Sequence, residues 1–268
     1  MRRPAVSPAK LSESAGQSRR PAPARPRFTL DQILFSGLFP RIHDQSLEPA
    51  ARLDGYLRTY VERDVRSLGG VGDLDSFTRF LGLCAARSGQ LVNLSSLGSE
   101  AGVTHTTAKR WLSVLRAGYV LDLVQPHHAN FSKRLVKTPK MFFLDPGLLC
   151  HLLGVRGPGE IHRHPLRGAL VETLVYSELR KVFLHHGERA PLFFWRDSHG
   201  REVDFVVDLG LRRVVIEVEA GETIARDAFR ALDFYRGLSG EAGGILVYGG
   251  DDSYSRGGHA VRPWWAVS

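Results

Sequence analysis

The stretch LFFWRDSHGREVDFVVDLGLRRVVIEVE, residues 192–219, decides the fold class. Leu192–Asp197 is aromatic and apolar, Ser198-His199-Gly200 is a turn signal, and Arg201–Asp208 has β-rich flanks, so the two runs predict a hairpin. A third run, Val214–Glu219, predicts another strand. Side chains alternate between the faces of a strand. Strict alternation puts Val203, Phe205 and Val207 on one face of the second strand and Glu202, Asp204, Val206 and Asp208 on the other. In the third strand it puts Val215, Glu217 and Glu219 together, opposite Val214, Ile216 and Val218. Two acidic faces are therefore expected to converge.

On the N-terminal side, residues 166–186 predict a helix in which Glu172 shares a largely apolar face with Val175, Leu179 and Val182. A carboxylate there needs a partner. On the C-terminal side a helix is expected near 224–238 and a strand near 244–248, giving the order αβββαβ. Gly249-Gly250-Asp251-Asp252 reads as a turn, and Trp264-Trp265 as a terminal strand covering an edge.

Upstream, residues 77–150 carry the pattern of a winged helix-turn-helix. Phe77, Phe80, Leu81 and Cys84 fall at helical spacing, a second helix near 95–101 ends at Gly102, and Thr104 caps a third. In the third helix Ala108, Trp111, Leu112 and Leu115 share one face, leaving Thr106, Lys109, Arg110, Ser113 and Arg116 on the other. After Gly118 a strand is expected at 119–124, then a loop at 125–135 and a second strand at 141–144, with Lys133, Arg134, Lys137 and Lys140 in the position of a wing. Hydroxyls and cations on an exposed helix suit the major groove, and basic wing residues suit phosphates. A solvated basic face, or a protein-docking module, is the alternative for the same residues. Asp145-Pro146 opens a short helix, and Gly157-Pro158-Gly159 marks a boundary.

The chain has 268 residues and a formal net charge of +8, which invites a nucleic-acid partner. Seven of the basic residues lie in the proline-rich segment 1–27 with one Glu, and nine lie in 77–150 against three acids. Residues 1–27 have too few bulky apolar groups to fold and are expected to be a disordered tail. Residues 28–76 read as a helical connector in which Pro40 ends a short amphipathic element and Tyr56, Tyr60 and Val65 belong to a longer helix. Cys84 and Cys150 sit in apolar-periodic stretches as buried free thiols. The absence of a long apolar run or secretory signal points to a cytoplasmic protein with no membrane partner. The histidines 127, 128, 162, 164, 185 and 186 lack zinc spacing, and His185-His186 are expected to bond helix C-terminal carbonyls.

Glu172 on the first helix, Asp204 on the second strand and Glu217 on the third resemble the PD-(D/E)xK nuclease superfamily, which implies a restriction-endonuclease-like fold with a mixed sheet. The resemblance implies Mg2+ held by Asp204 and Glu217, with Glu172 as a further ligand, activating water against a phosphodiester. Where that superfamily has a catalytic lysine, this chain has Glu219. Lys181 is the substitute weighed for it.

The runs YLRTYVERDVR (56–66), RFLGLCAARSGQLVNLSSLGSEAGVTHTTAKRWLSVL (79–115), KRLVKTPKMFFLDPGLLCHLLG (133–154), LRGALVETLVYSEL (166–179), FFWRDSHGREVDFVVD (193–208) and IEVEAG (216–221) resemble one family more closely, the domain of unknown function 4143. That resemblance implies a winged helix at 77–154 and a nuclease-like domain at 165–268, in a prokaryotic protein associated with an AAA-type ATPase. No G-x-x-x-x-G-K-[ST] occurs, so neither an ATPase module nor ATP is expected in this chain. The expectation is an α+β protein that binds DNA through its winged helix and carries an inactive nuclease-like domain. A Mg2+-dependent DNA nuclease using Glu172, Asp204 and Glu217, and an interaction module docking an ATPase in trans on residues 28–76, are the alternatives.

Overall fold

The structure, a computed structural model, describes residues 26–65, 73–127 and 136–267, which form two compact units. The N-terminal unit comprises Phe28–Leu123 and Pro139–Leu174. Its helices begin where the sequence offers caps. Helix α1 (Leu30–Ser36) opens on a capping box between Thr29 and Gln32. Helices α2 (Pro40–Asp44) and α3 (Pro49–Thr59) each start on a proline, so Pro40 opens a helix instead of only ending one. A π-helical turn, Tyr60–Val65, follows α3.

Helices α4 (Leu74–Ala85), α5 (Leu94–Ala101) and α6 (His105–Ala117) are capped by the side chains of Asp73, Asn93 and Thr104. Gly102 takes the left-handed position after α5 at φ 75°. The Trp111 ring of α6 meets Phe77 and Phe80 of α4 edge-on at 5.4 and 5.6 Å. The strands β1 (Leu121–Pro126) and β2 (Lys140–Phe143) follow, then α7 (Pro146–Leu152), α8 (Pro158–Ile161) and the first half of α9 (Arg167–Leu184).

Residues 28–59 pack inside this unit. Asp145 caps α7 through Leu148 N–H (2.7 Å) and also accepts Leu38 N–H (2.6 Å), while Arg167 pairs with Asp31. The connector reading misses this because α1 packs on α7 and α8, and α3 on α7, segments far along the chain.

The C-terminal unit comprises Val124–Thr138 and Val175–Ser268. Strands β3 (Leu192–Arg196), β4 (Glu202–Asp208) and β5 (Arg213–Glu219) form an antiparallel meander. Helix α10 (Arg230–Ser239) crosses to β6 (Ile245–Tyr248), parallel to β5. Strands β7 (Tyr254–Arg256) and β8 (His259–Pro263) form a hairpin, with β8 parallel to β6. The end of β1 pairs in parallel with β3, and the eight strands run in the mixed order β2-β1-β3-β4-β5-β6-β8-β7. With ten α-helices among the described residues, the chain is a mixed helix-and-sheet protein.

Several expectations fail for identifiable reasons. On β4 two residues, Asp204 and Phe205, stand opposite Phe194 alone, because Phe193 pairs with Val206 but Trp195 with Val203. This β-bulge breaks strict alternation, so Val203 and Val206 enter the same core cluster with Trp195, Val215 and Leu232. Trp264-Trp265 form a short 3-10 turn, not a strand, because β8 reaches its ladder end at Pro263. The strand β8 and its partner β7 are instead joined by Gly257-Gly258 at φ 61° and 86°, a primed-turn signal overlooked in the sequence. The helix expected from 224 begins at Arg230, because preceding turns bury the neighbours Ala228 and Phe229 together. The strand expected at 119 begins at Leu121, because Tyr119 has φ 54°.

Candidate functional site

Two surfaces carry the candidate residues, one in each unit. On α6 the buried face holds Ala108, Trp111, Leu112 and Leu115, while Thr106, Lys109, Arg110, Ser113 and Arg116 are all exposed. The amphipathic spacing alone explains this division. Ser113 Oγ donates to the Lys109 carbonyl at 3.1 Å, and Arg116 lies 3.5 Å from Asp122. Lys137 is exposed. Lys133 and Arg134, like the tail 1–25, lie outside the described residues. Lys140 does not belong to a cationic wing: β2 buries it to 3 % exposure, with its ammonium 6.0 Å from the Phe142 ring.

The acidic residues divide differently. Glu172, on the part of α9 that belongs to the N-terminal unit, lies against the turn at Gly89, where a Cβ would stand 3.1 Å from Oε2. Beside it Thr173 shares a buried hydrogen bond of 3.1 Å with Ser88. Asp204, on the β4 bulge, is buried, and its Oδ2 accepts Val218 N–H at 2.9 Å. Glu217 and Glu219 line a cleft of about 390 Å³ with Arg201, Glu202, Asp227, Arg230 and Phe234. Burial pushes the Glu219 carboxyl above its ordinary value, and the charge of Asp227 adds to the effect. The Arg201 guanidinium lies 3.7 Å from the Phe234 ring centre and bonds Asp197 at 2.7 Å, while Glu202 pairs with Arg196 at 3.0 Å.

Among the described residues no three His, Cys, Asp or Glu side chains are placed to hold a metal ion. The cleft itself has four carboxyl groups, those of Glu202, Glu217, Glu219 and Asp227, against the two guanidiniums of Arg201 and Arg230. Lys181, weighed as a substitute cation, pairs with Glu178 at 2.9 Å on the surface of α9.

Other groups take structural roles. His186 Nδ1 bonds the Val182 carbonyl at 2.8 Å at the end of α9. His127 Nε2 pairs with Asp208 at 3.0 Å, a contact with no local sequence signal because the two are 81 residues apart. Both cysteines are free and buried, and burial pushes the Cys150 thiol up to about 12. No helix among the described residues is long and apolar enough to cross a membrane.

Residues 167–267 match the family described as Domain of unknown function (DUF4143), and residues 27–159 match Domain of unknown function (DUF8612). The similarity expected to run as one family from Phe28 onward is thus divided between two. Uncharacterised proteins of Mycobacterium bovis and Mycobacterium tuberculosis are each 33% identical over 191 residues, covering 71% of this chain and 42% of the relative. The chain therefore spans less than half the length of these relatives. No solved structure matches.

Proposed function

For this chain, whose residues 167–267 belong to the DUF4143 family, we propose a nucleic-acid-binding role in which the N-terminal unit acts as a winged helix and the C-terminal unit as a non-cleaving, nuclease-like module. The observation that carries the reading is the exposed face of α6, where three cations and two hydroxyls alternate along one side of a helix whose other side is locked into the core by Trp111. A helix of this kind fits the major groove of duplex DNA, and its cations gain affinity by releasing counterions from the phosphates. The order α4, α5, α6, β1, β2 supports the winged-helix assignment. The meander β3-β4-β5 with its crossover to β6 supports the nuclease-like one.

Glu219 lines the cleft at the position where the PD-(D/E)xK superfamily carries its lysine, which supports the non-cleaving reading. No cleavage step, and no step through Mg2+, follows from these residues. The reading is tested by mobility shift of duplex DNA at about 50 mM salt, where phosphate contacts are strong. Binding is expected, and replacing both Lys109 and Arg110 with Ala should lower the salt slope by about 2 while leaving the unfolding midpoint in place. No shift at that salt would refute it.

A further inference from the structure

Among the described residues the sheet ends on β7, the last strand in its order, and residues 251–258 are all exposed. The strand pairs Tyr254 with Val261, Ser255 with Ala260 and Arg256 with His259 on β8. The Ala260 N–H donates to the Gly244 carbonyl at 2.9 Å, on the β6 side of β8. Ser255 therefore faces Ala260 across a non-hydrogen-bonded pair, and its own N–H and C=O point off the sheet.

Both ends of this edge are fixed from within the unit. The Asp252 N–H donates to the Tyr248 hydroxyl at 2.9 Å, and that hydroxyl donates to the Asp252 carbonyl at 3.1 Å. At the other end Arg236 of α10 donates to the Gly257 carbonyl at 3.0 Å. Main-chain groups at 252, 254 and 256 thus turn inward, and those at 253 and 255 turn outward. The same alternation places the side chains of Asp252, Tyr254 and Arg256 on one face, where the Arg256 guanidinium lies 5.3 Å from the Phe229 ring.

An open edge is a template for another strand, and charges along it select which strand can pair. Here an anion and a cation flank Tyr254 at equal spacing, Asp252 before it and Arg256 after it. In an antiparallel pair with a two-fold axis at Tyr254, Asp252 of each copy faces Arg256 of the other. A parallel pair in register sets like charges side by side instead. We propose that the β7 edge is a docking surface for a second copy of this chain, joined in that antiparallel register. Ser253 and Ser255 of the two copies then exchange main-chain hydrogen bonds. The two Tyr254 rings meet at the axis, in the non-hydrogen-bonded position that brings side chains closest. Because the edge is held in shape before association, little ordering entropy opposes pairing.

The test is sedimentation equilibrium of the full chain. So short an edge buries less than the roughly 800 Å² per partner of a standard interface, so a weak, reversible dimer is expected between about 10 µM and 1 mM. Arg256→Asp and Asp252→Arg each turn two opposite-charge pairs into like-charge pairs and should weaken association about 10- to 100-fold. Combining the two substitutions exchanges the charges and should restore the dimer. Amide exchange at Ser255 should slow as wild-type concentration rises, while that at Ala260, already bonded to Gly244, should not change. Should Arg256→Asp melt early for want of its contact with Phe229, Asp252→Arg carries the same comparison. A wild type that stays monomeric at about 1 mM, single variants that dimerise as the wild type does, or a double variant as weak as the single ones would each overturn the assignment.

Discussion

Replacing Asp145 should loosen the whole N-terminal unit, because one carboxylate ties two segments of chain together. It is 8% exposed and accepts Leu148 N–H at 2.7 Å, capping α7, and Leu38 N–H at 2.6 Å, holding the turn after α1. Each hydrogen bond to a charged group contributes about 1.5–3 kcal/mol, and a buried donor left unsatisfied loses its solvation as well. Asp145→Ala removes both acceptors and should cost about 3–6 kcal/mol, a fall in midpoint of roughly 10 °C for a protein of this size. Asp145→Asn keeps a carbonyl oxygen for the cap but turns an amide toward one donor, and should cost about half as much. Urea unfolding measures the total, and hydrogen exchange at the Leu38 and Leu148 amides locates it. A loss below about 1 kcal/mol for Asp145→Ala, or unchanged protection at Leu38, would refute the claim that residues 28–59 are held in this unit by that carboxylate.

Two further outcomes follow from close contacts and from burial. Gly118→Ala places a methyl 2.5 Å from the Tyr60 hydroxyl, so urea unfolding should show a loss of about 1–3 kcal/mol from overpacking. Glu219 has its carboxyl raised above the ordinary 4.5 by burial and by Asp227, so the folded chain keeps a proton that the unfolded chain releases, and stability falls as pH rises through that window. Glu219→Gln should therefore melt higher than wild type at pH 7, with the difference vanishing below about pH 4, as thermal unfolding across pH would read.

The α6 face was legible in the sequence because it depends on spacing within one helix: Ala108, Trp111, Leu112 and Leu115 leave the other side to solvent whatever they pack against. The caps at Thr104 and Asp145 were equally local. Lys140 was not, since a lysine in a short apolar run is exposed or buried according to what covers the strand. The side of β4 taken by Asp204 was not legible for the same kind of reason. Alternation along β4 predicted where Asp204 points, but the bulge opposite Phe194 depends on pairing with a second strand.

The amino-acid sequence by itself determined most of the helices and strands, the basic face of α6 and the acidic residue at position 219, because each rests on residues within a few positions of one another. Only the tertiary structure decided that α1 belongs with α7, that Glu172 sits against Gly89, and that Glu217 and Glu219 open into a cleft with Arg201 and Asp227. It alone gave the left-handed turn of α6 to Tyr119, because the nearby glycine was required at 118 by a tyrosine 58 residues earlier. Contacts between distant residues set burial, register and strain, and none of these has a period that can be read along the chain.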